Sequence, residues 1–449
     1  MSQAAKPPRS PATRAAGYPM LGIFDSPNQL LYHTCIAARA LRVSLEQERD
    51  MVLPYALTDR QQRFVALADQ LAARFAERAA IHDRDGSFPF ENYADLHESG
   101  YLRLAIPVEF GGEGANLFEM ALAQERLARG DGATGLVAGM LVQIIGRESE
   151  ARDWPAPVFA AICQTLAAEG GLINNVVTEP ELGSVSRGGV PASSATPTTG
   201  GWLINGHKIF ATGAPALRYF VTGVVLPASE QAPRGQTASA IVTAGSPGLR
   251  LESTWSDSLS LRSSGNDDVY YENVFVPDAW LVGRRAIGMP VAPGQQPGLN
   301  AWGLTISAVY LGIGQAACDT ACDYANNRVP PALGKPIADL PHIQQWIGEM
   351  QVTLDAARAL LYDTARTWIE HAAARPTLAP QIAAVKYLCT NASCAATDKA
   401  LRVAGGFSLT RALPLERYFR DARAGLFNPP QDDLALGQVG RAALAARRS

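Results

Sequence analysis

The chain has 449 residues, 47% of them hydrophobic and 18% charged, an ordinary globular composition with room for two or three domains. A formal net charge of -3 and a pI near 6.1 give no basic field and exclude nucleic acid as an expected partner. Six cysteines without a CxxC pair and six histidines that never cluster predict neither a disulfide framework nor a metal site, and fit a cytoplasmic protein.

Residues 1–50 are rich in Pro, Ala and Ser with scattered Arg, lack the apolar core of a secretory signal, and are expected to be an extension, disordered in part. From Thr58 the period becomes helical: Phe64, Leu67, Leu71 and Phe75 recur at spacings of three and four, with Thr58 or Asp59 available as N-cap. A second helix over FENYADLHESG ends at Gly100, and the Gly-rich turn IPVEFGGEGA (Ile106–Ala115) leads into a third. The spacing predicts an all-α domain over 51–171. Across 172–288 the period changes to short β-branched and aromatic runs, WLINGHKIFATG, RYFVTGVVL, SAIVTA and VYYENVFV, separated by Gly, Pro and Ser turns. Asn205–Gly206 between two apolar runs predicts a hairpin. A Pro-rich link, MPVAPGQQPGLN (Met289–Asn300), then leads to long helical stretches over Ala301–Asn327, Leu340–Ala373 and Leu378–Val403, punctuated by Pro330, Pro331, Pro336 and Pro376. The bundle is expected over 289–441, with a tail at 442–449. No run of roughly 18 apolar residues reads as a membrane span. The expected fold is α+β and multidomain: an all-α N-terminal domain, a central antiparallel β-barrel and a C-terminal four-helix bundle.

Three stretches carry a family resemblance. NVVTEPELGS (Asn175–Ser184), GGWLINGHKIFATGA (Gly200–Ala214) and SLSLRSSGNDDVYYENVFVPDAWLVG (Ser258–Gly283) together resemble the middle domain of the flavin-dependent acyl-CoA dehydrogenase superfamily. The α, β, α order over roughly Leu57 to Arg441 matches that architecture. The resemblance places Val177 and Thr178 at the edge of a flavin ring, with Thr178 near N5, and Phe210 where the family covers the ring. Ser184 follows Gly183, a turn able to present N–H and hydroxyl groups to a phosphate. Thr212, two residues beyond Phe210, is expected on the same side of the strand. Arg328, ahead of Leu333–Lys335, resembles the Arg that reaches the pyrophosphate of a flavin in a neighbouring subunit, which implies a homo-oligomer, a tetramer in the family. RVAGGFSL (Arg402–Leu409) resembles the family's Gln-x-x-Gly-Gly-x-Gly, so Arg402, Gly405 and Gly406 are expected near the adenine end. Arg402 in place of Gln, and Ser408 in place of the third glycine, depart from that pattern. FAD is the expected cofactor, and FMN stays open.

The reaction is less legible. Family members that desaturate acyl thioesters use a glutamate in one of two places, after R-D-A-x or at the start of the first bundle helix. This chain has Pro429 at the first and Trp302 at the second, with no Asp or Glu between Asp278 and Asp319 or between Asp421 and Asp432. Asp432 and Asp433 are the nearest substitutes. Their preferred reading is N-cap and first-turn acids of the last helix; the sharper one makes either a displaced base. RDARAGLFNPP also resembles the branch of reduced-flavin monooxygenases of the dibenzothiophene type, although the histidine of that branch near Asn428 is missing. The expectations are therefore ordered. First comes an acyl-CoA dehydrogenase-type oxidoreductase acting on an acyl thioester or similar small apolar substrate, served by an electron-transfer flavoprotein. A monooxygenase served by a flavin reductase comes second, and a flavin-binding protein without turnover third.

Overall fold

The computed structural model describes residues 56–182, 189–289 and 300–448. The expected disorder of residues 1–50, the candidate phosphate ligand Ser184 and the link over 290–299 lie outside these residues.

Helix α1 (Asp59–Asp85) starts at a reciprocal cap, in which Thr58 and Gln61 each bind the other's backbone N–H. It buries Phe64, Leu71 and Phe75. Helix α2 (Phe90–Glu98) ends two residues before Gly100, whose φ of +83° suits glycine. In the following turn Gly112 lies so close to Ile106 that a Cβ would sit 2.0 Å from its carbonyl oxygen. The expected third helix is broken into α3 (Leu117–Gly130) and α4 (Gly132–Ala151) by Asp131, whose carboxylate caps Thr134. Helix α5 (Ala156–Glu169) closes the N-terminal part.

Eight strands follow: β1 (Leu172–Val176), β2 (Ser194–Thr198), β3 (Gly201–Ala211), β4 (Leu217–Leu226), β5 (Gln236–Thr243), β6 (Leu249–Glu252), β7 (Asp267–Pro277) and β8 (Leu281–Ala286). Their order is β6-β7-β3-β2-β4-β5-β8, with β1 added to β4 in parallel. The sheet is mostly antiparallel, but the expected barrel does not close. β1 occupies the edge of β4 over Leu217–Thr222, which leaves β2 a single position there at Val225, and the short strands β6 and β8 end the sheet unpaired with each other. The expected Asn205–Gly206 hairpin is also corrected. The turn falls at Thr199–Gly200, and Asn205–Gly206 is a bulge inside β3, where Asn205 exchanges hydrogen bonds with Asn273 of β7. Glycine is required there because a Cβ on Gly206 would lie 2.1 Å from Ser193 Oγ.

The bundle holds three long helices, α6 (Leu304–Asn327), α7 (Pro341–Glu370) and α8 (Ala379–Ala404). In place of the expected fourth long helix stand two short ones, α9 (Leu415–Ala424) and α10 (Asp432–Ala445). Gly425 passes so close to Thr390 and Tyr310 that the chain turns there, and Pro429–Pro430 keep it out of helix until Asp432. Together with the turn before it, α6 is long and apolar enough to cross a membrane by composition, yet 89% of that window is buried inside the protein.

Buried charges join the parts. Glu125 of α3 accepts from Arg358 Nε at 3.0 Å and from the Tyr362 hydroxyl, both on α7. Burial alone would raise its pKa, but Arg358, Arg129 and Tyr362 outweigh it and hold the carboxyl near 2. Arg420 of α9 grips Asp83 of α1 with two nitrogens, and its neighbour Asp421 accepts from Leu261 N at 2.7 Å. Asp421 is the opposite case. Burial pushes its pKa up to about 7, and the Leu261 N–H and Arg417 offset only part of that. A raised carboxyl contributes stability that is complete below its unfolded pKa and is lost as pH rises through about 7. Asp421→Asn, which keeps an oxygen for Leu261, should therefore flatten the fall in stability between pH 5 and 7 by about 2 kcal/mol. Urea unfolding of both proteins at several pH values measures this, and parallel pH profiles would refute it.

Candidate functional site

The centre of the site is a buried ion pair. Glu179 lies just past β1, and Lys208 projects from β3; they are 1% and 0% exposed. Lys208 Nζ donates to Glu179 Oε1 at 2.6 Å, and Ala192 N, Ser193 N and Ser193 Oγ donate to the same carboxylate. Burial alone would raise the glutamate, but these donors outweigh it and hold it near 2; burial also lowers Lys208, which Glu179 partly offsets. With Glu179 pinned, the preceding residues lie along β3, where Ile209 N donates to the Thr178 carbonyl at 3.0 Å.

Beyond Ile209 the strand breaks step. Pairing with β7 shifts between Lys208 and Ala211, and Phe210 takes φ +59°, rare for a residue with a side chain. Its ring stands 53% exposed, edge-on to Trp255 at 5.6 Å. Thr212 turns back to donate its N–H to the Phe210 carbonyl, while its own carbonyl accepts from Asn174 Nδ2. The shared side expected for Phe210 and Thr212 is thereby lost: the phenyl ring is exposed and Thr212 is buried, because the bulge cancels strand alternation. Thr178 nonetheless lies against Ile209, next to Phe210, and Thr212 is tied to Asn174 of β1, so the ends of β1 and β3 come together.

The other predicted residues form a second cluster at the end of the bundle. The Arg328 guanidinium lies 5.0 Å from the Phe407 ring, and among the described residues no carboxylate pairs with it. Arg402 is instead bound to Asp398, one turn back. Gly405 has φ +59°, and at both Gly405 and Gly406 a Cβ would meet no atom within 4 Å, so their backbone faces open space. An exposed aromatic face, a cation without a counter-charge and open glycine backbone suit a planar, phosphate-bearing flavin.

Both places expected to hold a carboxylate are filled otherwise. Trp302 is buried against Gly146 of α4, where a Cβ would come within 2.1 Å of the indole. Pro429 lines a cavity of about 20 Å³ between α6, α8 and the α9–α10 segment, together with Ser307, Tyr310, Lys386 and Asn428. Asn428 donates to the Tyr310 hydroxyl at 2.6 Å, and among the described residues no carboxylate lines this cavity. Asp432 is not the N-cap, a position held by Gln431 without a side-chain capping bond; it stands in the first turn with Asp433. There it accepts from Asn391 Nδ2 at 2.9 Å and lies 3.6 Å from Lys386 Nζ. Sequence reasoning missed Glu179, Lys208 and Lys386. The available signal was a lone charge inside an otherwise apolar strand or helix face, as in INGHKIF and IAAVKYL.

Three domain families match the chain: the acyl-CoA dehydrogenase N-terminal domain over residues 58–149, the middle domain over 175–274 and the C-terminal domain over 304–427. A putative acyl-CoA dehydrogenase, YdbM of Bacillus subtilis, is 36% identical over 85% of this chain and 96% of its own length. The bovine mitochondrial short-chain specific acyl-CoA dehydrogenase is 27% identical over 79% of this chain and 84% of its own. Among solved structures, butyryl-CoA dehydrogenase from Megasphaera elsdenii superposes with a TM-score of 0.75 at 23% identity, over 87% of this chain and 100% of that one. FMN-bound TdsC from Paenibacillus sp. A11-2 gives 0.76 at 22%, over 86% and 98%.

Removing one partner of a saturated buried pair leaves the other charge stranded, at a cost of about 3–5 kcal/mol. Lys208→Met and Glu179→Gln should each lose stability on that scale, and the double variant should lose less than the sum. Denaturant unfolding of the four proteins tests this, and additive losses would show the two residues to be uncoupled.

Proposed function

The chain belongs to the acyl-CoA dehydrogenase family of flavin-dependent oxidoreductases, and we propose that it binds FAD, or FMN in its place, at the edge formed by Val177, Thr178, Phe210 and Thr212. When bound, the flavin supplies two-electron redox chemistry. The exposed Phe210 ring, held at its bulge by the Glu179–Lys208 anchor, provides the apolar wall. The Thr178 hydroxyl is the polar group beside it. Arg328 and the open backbone of Gly405 and Gly406 are suited to the phosphate and adenine end of a flavin held by a second copy of the chain. Exposed Val352, Phe407 and Leu409 on the bundle support a homotetramer. Free cysteines among the described residues are in keeping with a cytoplasmic location.

Desaturation of an acyl thioester needs a carboxylate to take the α-proton. The cavity beside Pro429 offers none, and its charged group is the cation of Lys386. That observation favours a reaction with no such proton transfer: oxygenation of a small substrate by the reduced protein, with reduced flavin delivered by a separate reductase. Desaturation of an acyl thioester, passing electrons to an electron-transfer flavoprotein, is the second reading. The name of the 36%-identical relative supports it, but it requires Asp432 to leave Lys386 and Asn391.

Two measurements bear on this. Phe210→Asp puts a charge on the apolar wall and should abolish flavin retention while the fold survives; a variant that purifies yellow with full occupancy would refute the placement. Oxidised holoprotein mixed anaerobically with a panel of acyl-CoA thioesters should not bleach near 450 nm, a general flavin band. Reduced holoprotein given ¹⁸O₂ should instead transfer labelled oxygen to a small organic acceptor. Rapid bleaching by any acyl-CoA would decide for the dehydrogenase.

A further inference from the structure

Two buried polar atoms that line the cavity beside Pro429, Lys386 Nζ and Ser307 Oγ, have no hydrogen-bond partner. Buried polar groups are normally satisfied, and the ammonium of a lysine only 6% exposed is among the costliest to leave unused. Asp432 stands 3.6 Å from Lys386 Nζ, near enough to supply charge but too far for a hydrogen bond. Burial lowers the lysine's pKa, and Asp432 opposes that shift. Nearby hydroxyls show the contrast. Thr305 donates to the Trp302 carbonyl in the turn before α6 and Thr390 to the Lys386 carbonyl within α8, while the Ser307 hydroxyl makes no such bond. The Tyr310 hydroxyl accepts from Asn428. Asp432 Oδ1 is likewise buried and without a hydrogen-bond partner, so Lys386 Nζ and Ser307 Oγ are two spare donors with one spare acceptor behind the lysine, too far away to satisfy it directly. The cavity's volume of about 20 Å³ admits about one water, or one oxygen atom of a larger molecule.

The cavity and the end of β3 are joined through helix α4. Ile306, which lines it, packs on α4 at Gly139, where a Cβ would meet its side chain at 2.7 Å; Gly213, next to Thr212, packs on α4 at Val137, again with 2.7 Å for a Cβ. Gly139 and Val137 are two residues apart, so the cavity and the segment beyond β3 pack on different faces of the same helix.

We propose that this cavity is an oxygen subsite, in which Lys386 and Ser307 hold a carbonyl or carboxylate oxygen of the substrate, with water in its place otherwise. The donor set selects molecules that carry an oxygen acceptor near the reacting carbon or heteroatom over plain hydrocarbon chains. This substrate class rests on the flavin reading above; oxygen binding by the cavity does not. Asp432 tunes the subsite, since the carboxylate behind Lys386 lowers its attraction for an anion.

The test uses formate as probe, the full-length protein as purified, and tryptophan-fluorescence melting at constant ionic strength. Formate should raise Tm in the parent protein. Lys386→Met should abolish that rise, and Ser307→Ala, which changes no charge, should weaken apparent affinity about tenfold. Asp432→Asn should tighten it several-fold, because the lysine loses its counter-charge. A merely structural pair would respond differently, with Lys386→Met and Asp432→Asn both losing stability and neither altering the formate response. That result, or no response in the parent protein, overturns the proposal; if Lys386→Met does not fold, Ser307→Ala and Asp432→Asn decide it. Flavin content is scored separately by absorbance. Retained flavin without a formate response defeats the subsite alone, and a formate response without flavin defeats the functional reading alone.

Discussion

A glutamate and a lysine taken wholly out of water, with Lys208 Nζ 2.6 Å from Glu179, govern the working edge of the sheet. Such a pair is tolerable only when the carboxylate's remaining lone pairs are filled, and Ala192 and Ser193 fill them. The geometry that follows is narrow. Ser193 must reach in past β3, so position 206 can carry no Cβ. Glu179 must stay put, so Thr178 lies against Ile209, and the next residue, Phe210, leaves the strand ladder with its ring turned outward. A few buried hydrogen bonds thus set the orientation of the exposed Phe210 ring.

The protein uses buried charge in two ways. At Glu125 the carboxylate is saturated by Arg358 and Tyr362, and at Glu179 by Lys208 and backbone; both are structural joints, one between α3 and α7, the other between a loop and β3. Lys386 and Asp432 resemble them in kind but not in completeness. Their separation leaves the ammonium without a hydrogen bond, and the unused donors face a cavity rather than a carbonyl. A folded chain keeps such an arrangement at a cost to stability, and ligand-binding surfaces are where that cost is commonly carried.

The resemblance to dehydrogenases and the lack of their base are compatible, because both replacement positions serve packing. Trp302 has become core, seated in the gap left by Gly146, and Asn428 is tied to Tyr310. Neither position retains a group that titrates in the range useful to a base. What remains at the cavity is a donor site, which suits stabilising electron-rich oxygen better than accepting a proton from carbon.

Local signals in the sequence determined a good deal. The Thr58 cap, the Gly100 stop, the Gly-rich turn before α3 and the change of period near Leu172 each depend on residues a few positions apart, and each is found where its chemistry places it. The same short-range reading failed at Asn205–Gly206, where the partner deciding between hairpin and bulge, Asn273, is far along the chain. It failed for Thr212, because regular alternation cannot foresee a bulge, and for Asp432 as N-cap only, since the residue stands in the first turn of α10 as also expected, beside Asn391 and Lys386 of another helix. Glu179, Lys208 and Lys386 went unnoticed because a single charge in an apolar run has no meaning until its counter-charge is located. Composition and periodicity are properties of neighbours in sequence, so they sufficed for helices and strands, with the resemblance of short motifs pointing to the family; burial and pairing of charge are properties of neighbours in space, and only the tertiary structure decided them.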